Sequence, residues 1–249
     1  MIITHRGHYK NLQENTLEAF DAALKAGADA VECDLRLTLD KKVIVNHDKH
    51  IKLNGSRIKI SKTPLKDLIR LPNHEEKPLI IDDLFDYITQ KRVPFFLEVK
   101  NRSPLLVDAI AQKIKDKKLW EQVHIIGFSF VIKNALRAQA KHEKLRVLPI
   151  VNFPLYSYIK KPKKSYGVFV GWIDEWYGSG LLFRKLISTK RLTKLKDFYE
   201  DKGFKVMAGV INNKTGFEYF KKAGIYDIVT DNIKEAVNYF KEERRLNKK

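Results

Sequence analysis

The stretch AVECDLR, residues 30–36, alternates apolar and charged side chains. Successive side chains of a β-strand point to opposite faces. As a strand, this stretch places valine, cysteine and leucine on one face and Glu32, Asp34 and Arg36 on the other. Residues 95–100, FFLEVK, repeat the arrangement, with a glutamate and a lysine on the polar face. The two stretches therefore predict strands that are apolar towards covering helices and charged on the opposite side.

Further apolar, β-branched runs follow along the chain, and helical segments separate them, which is typical of a parallel sheet with crossover helices. The nine predicted strands are Ile2–Thr4, Ala30–Arg36, Val43–His47, Phe95–Lys100, His124–Ser129, Arg146–Val151, Val168–Trp172, Lys205–Ile211 and Asp227–Asp231. The predicted helices are Glu14–Ala26, Pro104–Lys117, Val131–Lys141, Thr189–Asp201 and Lys214–Ala223.

The third predicted strand, Val43–His47, follows the second after only six residues, 37–42. A parallel crossover needs a dozen or more residues, so we expect this strand to fold back as a hairpin arm. Eight strands remain, and they predict an α/β fold, a (βα)8 TIM barrel, with residues 1–249 forming a single domain. Residues 49–92 are expected to form a small hairpin and helical elaboration between the second and third barrel strands.

The composition of the chain indicates which cellular compartment and which partners to expect. Of its 249 residues, 48 are Lys or Arg and 30 are Asp or Glu, giving a net charge of +18, and Cys33 is the single cysteine. No internal disulfide, leader-like segment or long apolar run is evident, so we expect a cytoplasmic protein. The charge favours anionic partners. The basic run Lys160–Lys164 fits an anionic membrane surface, single-stranded nucleic acid or a solvated loop, and we expect no specific nucleic-acid partner.

The carboxylates on the polar strand faces need compensation. Glu32, Asp34 and Glu98 cannot all stay ionised when buried together unless a cation is present or their pKa values rise. An all-oxygen ligand set favours Mg²⁺ or Ca²⁺ over zinc. The alternative is a structural ion network with the neighbouring basic residues, which are Arg6, Arg36 and Lys100.

Two histidines lie where barrel active sites form, at the carboxyl ends of strands. His5 directly follows the first predicted strand, and His47 ends the hairpin arm. A histidine pair can act as general acid and base near neutral pH, and the guanidinium of Arg6 matches phosphate oxygens. We expect the remaining histidines to be surface or capping residues, and these are His8, His50, His74, His124 and His142. Of these, only His8 is close enough in sequence to border the site.

Other polar and aromatic residues near these strand ends have structural interpretations. Asn15 followed by Glu18 predicts a capping box at a helix start. Trp172, Trp176 and Tyr177 follow the sixth barrel strand, where they either contact substrate or pack in the core and loops.

Taken in order, these motifs resemble the glycerophosphodiester phosphodiesterase family. The resemblance spans nearly the whole chain and rests on His5-Arg6-Gly7, Glu14-Asn15-Thr16, Gly27-Ala28-Asp29, His47-Asp48, Leu97-Glu98-Val99-Lys100 and the final Thr230-Asp231. It implies a set of roles: His5 and His47 as acid and base, Arg6 and Lys100 as phosphate contacts, and Glu32, Asp34 and Glu98 as ligands of Mg²⁺ or Ca²⁺.

The resemblance also implies the substrate class, glycerophosphodiesters such as glycerophosphocholine, which yield glycerol 3-phosphate and an alcohol. In that family the substrate's own neighbouring hydroxyl is the expected attacker, forming a cyclic phosphate that water opens. Gly209 stands where the family commonly has a tryptophan, so the leaving-group preference stays open. Alternatives are a lysophospholipase D-like activity at membrane surfaces and a non-catalytic barrel that binds phosphorylated ligands or nucleic acid. The sequence leaves the oligomeric state and the choice of metal open.

Overall fold

The computed structural model describes residues 1–53, 56–70, 78–128, 131–151 and 165–246. In these ranges the strands are β1 (Ile2–His5), β2 (Ala30–Leu37), β3 (Val43–Val45), β4 (His50–Leu53), β5 (Ser56–Lys59), β6 (Leu79–Ile80), β7 (Phe95–Val99), β8 (Val123–Phe128), β9 (Arg146–Val151), β10 (Gly167–Val170), β11 (Lys205–Ala208) and β12 (Ile228–Thr230). The helices are α1 (Leu17–Lys25), a 3₁₀ turn (Ile60–Lys62), α2 (Leu65–Ile69), α3 (Ile81–Lys91), α4 (Pro104–Asp116), α5 (Lys133–Ala138), α6 (Ser179–Leu186), α7 (Thr189–Glu200), α8 (Lys214–Lys222) and α9 (Ile233–Leu246).

The predicted barrel is confirmed. Strands β1, β2 and β7 to β12 pair in parallel, each with its neighbour, and β1 pairs with both β2 and β12. This double pairing closes the sheet, so none of the eight barrel strands in the described ranges has a free edge. Closure brings the carboxyl ends of all eight strands to one rim, where the connecting loops can carry a site.

The hairpin arm and the elaboration are also confirmed. Strand β3 runs antiparallel to β2, β6 runs antiparallel to β3, and β4 and β5 form a separate two-stranded hairpin. Helix α3 lies within the same stretch of chain, but it packs on the barrel. Its Leu84, Phe85 and Ile88 are fully buried in the cluster that also contains Val31 and Phe95. The arm therefore extends the sheet beside β2, whereas α3 covers the outside of β2 and β7.

The alternation along β2 and β7 sorts the side chains as expected. Val31, Cys33 and Leu35 are buried between the strands and the outer helices, together with Leu97 and Val99. The barrel interior holds a second apolar cluster with a member from each barrel strand: Ile3, Ala30, Phe96, Ile126, Leu148, Ile150, Phe169, Met207, Val210 and Val229. The charged side chains of β2 and β7 lie above this cluster, at the carboxyl-end rim.

Local capping residues begin several of the covering helices. The side chain of Ser188 accepts a hydrogen bond from a backbone N–H of α7, and that of Asn213 does the same for α8. Helix α4 begins with Pro104, which needs no hydrogen-bond acceptor at a helix start. None of the helices in the described ranges is both long and apolar enough to cross a bilayer.

The prediction of a surface or capping position was wrong for His124. Its ring is 4% exposed and stacks on Phe96 with 4.7 Å between ring centroids. The residue lies on β8 with its side chain inside the barrel, so strand alternation, rather than polarity, decided its position. His74 and the basic run 160–164 lie outside the described residues.

Candidate active site

The carboxyl-end rim of the barrel surrounds a pocket of about 130 Å³. Its two sides differ in chemistry. The first side, here called the polar half, comes from β1, β2, β7 and the end of the arm, and comprises His5, Arg6, Glu32, His47, Glu98 and Lys100. The second, here called the apolar half, comes from β8 to β12 and the segment after β10, and includes Ile126, Phe128, Ile150, Phe169, Trp176 and Val229.

Three buried carboxylates form the centre of the polar half. Asp34 and Glu98 are direct neighbours across the β2–β7 ladder, and Glu32 precedes Asp34 by one strand repeat. Each of the three offers one oxygen, and these oxygens all lie within 4.8 Å of one another. The Oε1 atom of Glu32 is buried and has no hydrogen-bond partner among the described residues. This cluster therefore offers hard oxygen donors that could hold a divalent metal ion.

The three carboxyl groups differ strongly in acidity. Burial, followed by the charge of Asp34, raises the pKa of Glu32 to about 8. Burial would also raise the pKa of Asp34, but Lys100 and Arg6 outweigh it and hold that pKa well below its usual range. Burial raises the pKa of Glu98 above its ordinary value. A further positive charge is thus needed before all three can be ionised at neutral pH.

Part of the alternative ion network is present. The Nζ atom of Lys100 lies 2.9 Å from Oδ1 of Asp34 and 2.7 Å from Oε2 of Glu98. The Nε atom of Arg6 lies 3.2 Å from Oδ2 of Asp34. In the described part of the chain the only ion pair of Glu32 is with His5, at 4.0 Å, and its Oε2 also accepts the backbone N–H of Arg6 at 3.1 Å. The network therefore leaves one carboxylate uncompensated, which is the charge a metal would balance.

His5 is held by a carboxylate that sequence reasoning did not assign. Its Nδ1 lies 2.8 Å from Oδ1 of Asp231, just after β12, and its Nε2 faces the cluster. Asn212 donates from Nδ2 to Asp231 at 2.5 Å and accepts the Asp231 backbone N–H at 2.8 Å. Burial would lower the pKa of His5, but the hydrogen bond to Asp231 and the charge of Glu32 raise it above its ordinary value. The signal for Asp231 was its position at a barrel strand end, within the final Thr-Asp motif.

His47 has a more open setting at the end of the hairpin arm. Its side chain is 32% exposed, and Nδ1 lies 3.0 Å from Oδ1 of Asp48. Burial lowers its pKa; Asp34 opposes this shift, while Lys100 adds to it. Arg36 donates from Nε to the backbone carbonyl of His47 at 2.8 Å, which ties the arm to β2. The barrel thus brings both predicted histidines to one pocket, with Arg36 in a positioning contact.

Asn15 was misassigned as a helix cap. Thr16 is the N-cap of α1, and its Oγ1 accepts from Ala19 N at 3.2 Å. The amide of Asn15 instead contacts Asp34 twice, donating from Nδ2 to Oδ2 at 3.1 Å and accepting the Asp34 backbone N–H at 3.2 Å. Because α1 begins at Leu17, position 15 lies one residue too early for a cap, and its side chain orients a carboxylate of the cluster.

The aromatic residues after β10 separate into three positions. Trp172 is buried and packs in the outer core, Tyr177 is fully exposed, and Trp176 lines the pocket. The ring of Trp176 stacks on Phe128, with 6.3 Å between centroids and an interplanar angle of 15°. A Cβ atom at Gly209 would lie 2.5 Å from Cβ of Val229. Gly209 lines the pocket, and the close approach of Val229 leaves no space for a Cβ atom at position 209 in this backbone conformation.

Comparison with known proteins agrees with this geometry. The model of the Glycerophosphoryl diester phosphodiesterase family matches residues 5–235. A glycerophosphodiester phosphodiesterase of Caldanaerobacter subterraneus subsp. tengcongensis is 23% identical over 96% of both chains. The mouse protein named Lysophospholipase D GDPD3 is 23% identical over 92% of this chain and 78% of its own length.

Two solved structures share the fold. The glycerophosphodiester phosphodiesterase of Thermotoga maritima superposes with a TM-score of 0.72 at 21% identity, covering 95% of this chain and 96% of that one. A phosphodiesterase of Oleispira antarctica, in complex with the product sn-glycerol-3-phosphate, gives 0.73 at 18% identity and 96% coverage of each. Because the family model matches nearly the whole chain, this protein belongs to the glycerophosphoryl diester phosphodiesterase family of phosphoric diester hydrolases.

Proposed function

We propose that this protein hydrolyses glycerophosphodiesters to glycerol 3-phosphate and an alcohol, using a divalent metal ion and the histidine pair. One observation carries the proposal: three carboxylate oxygens within 4.8 Å of one another lie beside His5, His47 and two basic side chains in a single pocket. The product-bound relative from Oleispira antarctica supports the substrate class. Glycerol 3-phosphate is a small dianion, and the net charge of +18 favours its diester precursors as ligands.

The residues present fit a hard divalent cation. Glu32, Asp34 and Glu98 would hold it, because Oε1 of Glu32 is a buried acceptor without a hydrogen-bond partner among the described residues. The oxygen-only donor set favours Mg²⁺ or Ca²⁺. When bound, such an ion supplies positive charge at a phosphoryl oxygen, where negative charge develops in the reaction.

The remaining roles follow from position. Arg6 and Lys100 border the cluster and present cationic groups to the pocket, where they would contact the phosphate. We assign the acid and base roles to His5 and His47. One takes the proton of the substrate hydroxyl next to the phosphate as that oxygen bonds to phosphorus, and the other protonates the departing alcohol as its P–O bond breaks. Water then opens the cyclic phosphate, which leaves glycerol 3-phosphate.

The test is release of glycerol 3-phosphate from glycerophosphocholine in Mg²⁺, in Ca²⁺ and in EDTA. We expect EDTA to abolish at least about 99% of the rate, and Glu32→Gln to raise the metal concentration needed for half-maximal activity. Glu18→Gln is the matched control, since Glu18 is a glutamate in the first turn of α1, outside the pocket. Equal rates with metal and with EDTA would reject the metal-dependent mechanism.

The intramolecular attack has its own test. A glycerophosphocholine analogue that lacks the hydroxyl next to the phosphate-bearing carbon cannot form the cyclic phosphate. We expect no turnover of this analogue, although it should still compete with glycerophosphocholine for the pocket. Hydrolysis of the analogue at a comparable rate would replace the cyclic route with direct attack by water.

A lysophospholipase D-like activity is the second candidate. The apolar half supports it, because the stacked pair Phe128 and Trp176 forms an apolar wall beside the histidines. The mouse relative named for that activity supports it as well. Parallel assays with glycerophosphocholine and lysophosphatidylcholine separate the two, and activity confined to the lipid would displace the first proposal. We also propose a cytoplasmic location. The single cysteine, Cys33, is free, so the fold uses no internal disulfide and does not need an oxidising compartment.

A further inference from the structure

We propose that an exposed aromatic and aliphatic face beside the pocket docks on an anionic membrane surface. This docking face comprises Trp176 and Tyr177 in the turn before α6, and Leu181, Leu182 and Leu186 on that helix. These five are more than half of the nine large hydrophobic residues that are strongly exposed in the described part of the chain. Several large exposed apolar side chains within one short segment are typical of an interaction site.

The exposure is a consequence of how α6 packs. Gly180 and Phe183 are its buried residues, and Gly180 approaches Trp172 so closely that a Cβ there would lie 2.6 Å from the indole nitrogen. The helix is thus pressed onto the outer core by one side. Leu182 and Leu186 lie one above the other on the other side, as residues four apart do in a helix. Their side chains are 50% and 46% exposed, and that of Leu181 is 68% exposed.

The charge around the docking face selects an anionic partner. Residues 176–191 contain Arg184, Lys185, Lys190 and Arg191 and no acidic residue. Basic residues next to a bilayer each contribute attraction to anionic headgroups, and tryptophan and tyrosine favour the headgroup level of a bilayer. A second copy of this chain is a poorer occupant, because it would bring a like-charged face of a +18 protein into contact with this one.

The preceding acidic residues point away from this partner. Asp174 accepts hydrogen bonds from the indole N–H of Trp172 and the backbone N–H of Asn212. Glu175 faces the active site, where its carboxylate lies 4.0 Å from Nδ1 of His5 and 3.8 Å from a guanidinium nitrogen of Arg6. The negative charge of the segment is therefore directed into the barrel rim, and the outward face stays apolar and basic.

The docking face adjoins the pocket. Trp176 belongs to both, because it lines the pocket and contributes to the exposed face. Docking through α6 would hold the carboxyl-end rim against the headgroup layer, so a diester anchored in the membrane would reach the histidines without leaving the lipid. Docking on the membrane requires only the exposed face, so it does not depend on the proposed hydrolysis.

The experiment is co-sedimentation with vesicles of phosphatidylcholine alone or mixed with phosphatidylglycerol, in the absence of substrate. We expect binding only to the mixed vesicles, with a blue shift of tryptophan fluorescence, and weakening by high salt. The double variant Leu181→Glu/Leu182→Glu should bind about tenfold or more weakly. Leu105→Glu is the matched control, since Leu105 on α4 is 52% exposed and lies outside the docking face.

Thermal unfolding and hydrolysis of glycerophosphocholine in solution confirm that the variants are folded. Tyr177→Glu is the second variant, because Tyr177 is fully exposed and its replacement cannot disturb the core. Loss of vesicle binding in both docking-face variants, with binding retained by Leu105→Glu, supports the proposal. Absence of binding to anionic vesicles overturns it, as does binding that both variants retain. A dimer that the same substitutions dissociate, without vesicle binding, would assign the face to a second copy.

Discussion

The two halves of the pocket belong to one rim of the barrel but differ in the chemistry of their side chains. The polar half uses three adjacent strands, β1, β2 and β7, and concentrates charged groups whose pKa values are shifted against one another. The apolar half uses the next five strands and presents mostly aliphatic and aromatic side chains, with Glu175 as its one acidic residue in the described part of the lining. Under the proposed function, the polar half would act on the phosphate and the apolar half would surround the leaving alcohol. Substitutions in the first half should change the chemistry, and those in the second should change the choice of substrate.

Two histidines inside the same barrel show how strongly the halves differ. His5, held by Asp231 and facing Glu32, has a pKa above its ordinary value. His124, stacked on Phe96 below the apolar half, has a pKa lowered to about 4, chiefly by burial. Both are nearly inaccessible to solvent, so burial alone does not decide the shift. The neighbouring carboxylates decide it, and this difference supports the proposal that His5, rather than His124, takes part in proton transfer.

The largest expected effect is loss of the acid and base. His5→Ala and His47→Ala should each lower kcat for glycerophosphocholine by about 10²- to 10⁴-fold. His8→Ala is the control, since His8 is exposed in the same loop and should keep the wild-type rate. Steady-state release of glycerol 3-phosphate measures all three.

A diester with a nitrophenol leaving group sharpens this prediction. Such a leaving group needs no protonation, so the variant that lacks the acid should lose far less activity on this substrate than on glycerophosphocholine. The variant that lacks the base should lose activity on both. Wild-type rates for either histidine variant on glycerophosphocholine would contradict the assignment of the polar half.

Asp231→Asn should lower kcat by about 10- to 100-fold with little change in KM, because the carboxylate orients His5 through Nδ1 without touching substrate. A double-mutant cycle checks this. In a His5→Ala background the Asp231 substitution should have almost no further effect, since the group it orients is gone. Independent, multiplicative losses would show that Asp231 acts in another way.

Substitutions in the apolar half should change which substrates the enzyme prefers. Trp176→Ala removes one face of the stacked pair with Phe128, so KM should rise by about tenfold for diesters with bulky or apolar alcohols. The rate for glycerophosphoglycerol should change much less. Tyr177→Ala, which alters the fully exposed neighbour outside the pocket, is the control. A uniform loss across all substrates would mean that Trp176 serves the chemistry, and the division into halves would fail.

The smallest effect on activity, and a clear one on stability, is expected at His124. Its pKa is about 4 in the folded chain, against an ordinary value of 6.5 once the chain unfolds, so between these values the unfolded chain binds more protons. The free energy of unfolding should therefore fall as the pH drops from 6.5 towards 4, by about 3 kcal/mol for this residue.

Urea unfolding across this range, compared with His124→Phe, isolates the contribution of His124. The phenylalanine variant should lose about this much less stability on acidification than the wild type, with its activity at neutral pH retained. If both proteins lost the same stability on acidification, His124 would be able to take up its proton in the folded chain, and its pKa would not be lowered by folding.

Much of this site follows from short-range pattern in the sequence. The alternation in residues 30–36 and 95–100 determined which side chains face the barrel rim, because side-chain direction along a strand depends only on position. The six-residue spacing before Val43 determined the antiparallel arm, since no parallel crossover fits it. Together with the positions of the histidines at strand ends, these patterns predicted that Glu32, Asp34 and Glu98 lie close together, as they do.

Other features depended on which strand ends and loops meet after closure. Asp231 contacts His5 across 226 positions of sequence, and Asn15 contacts Asp34 rather than capping α1. Helix α6 was not predicted at all, since it is short and has Gly178 just before it and Gly180 in its first turn. Its docking face is defined by the residues that the core leaves uncovered. The sequence by itself determined the barrel, its inward carboxylates and its histidines. Only the tertiary structure decided the partners that orient them and the surface beside them, because these contacts join distant segments that only closure of the barrel brings together.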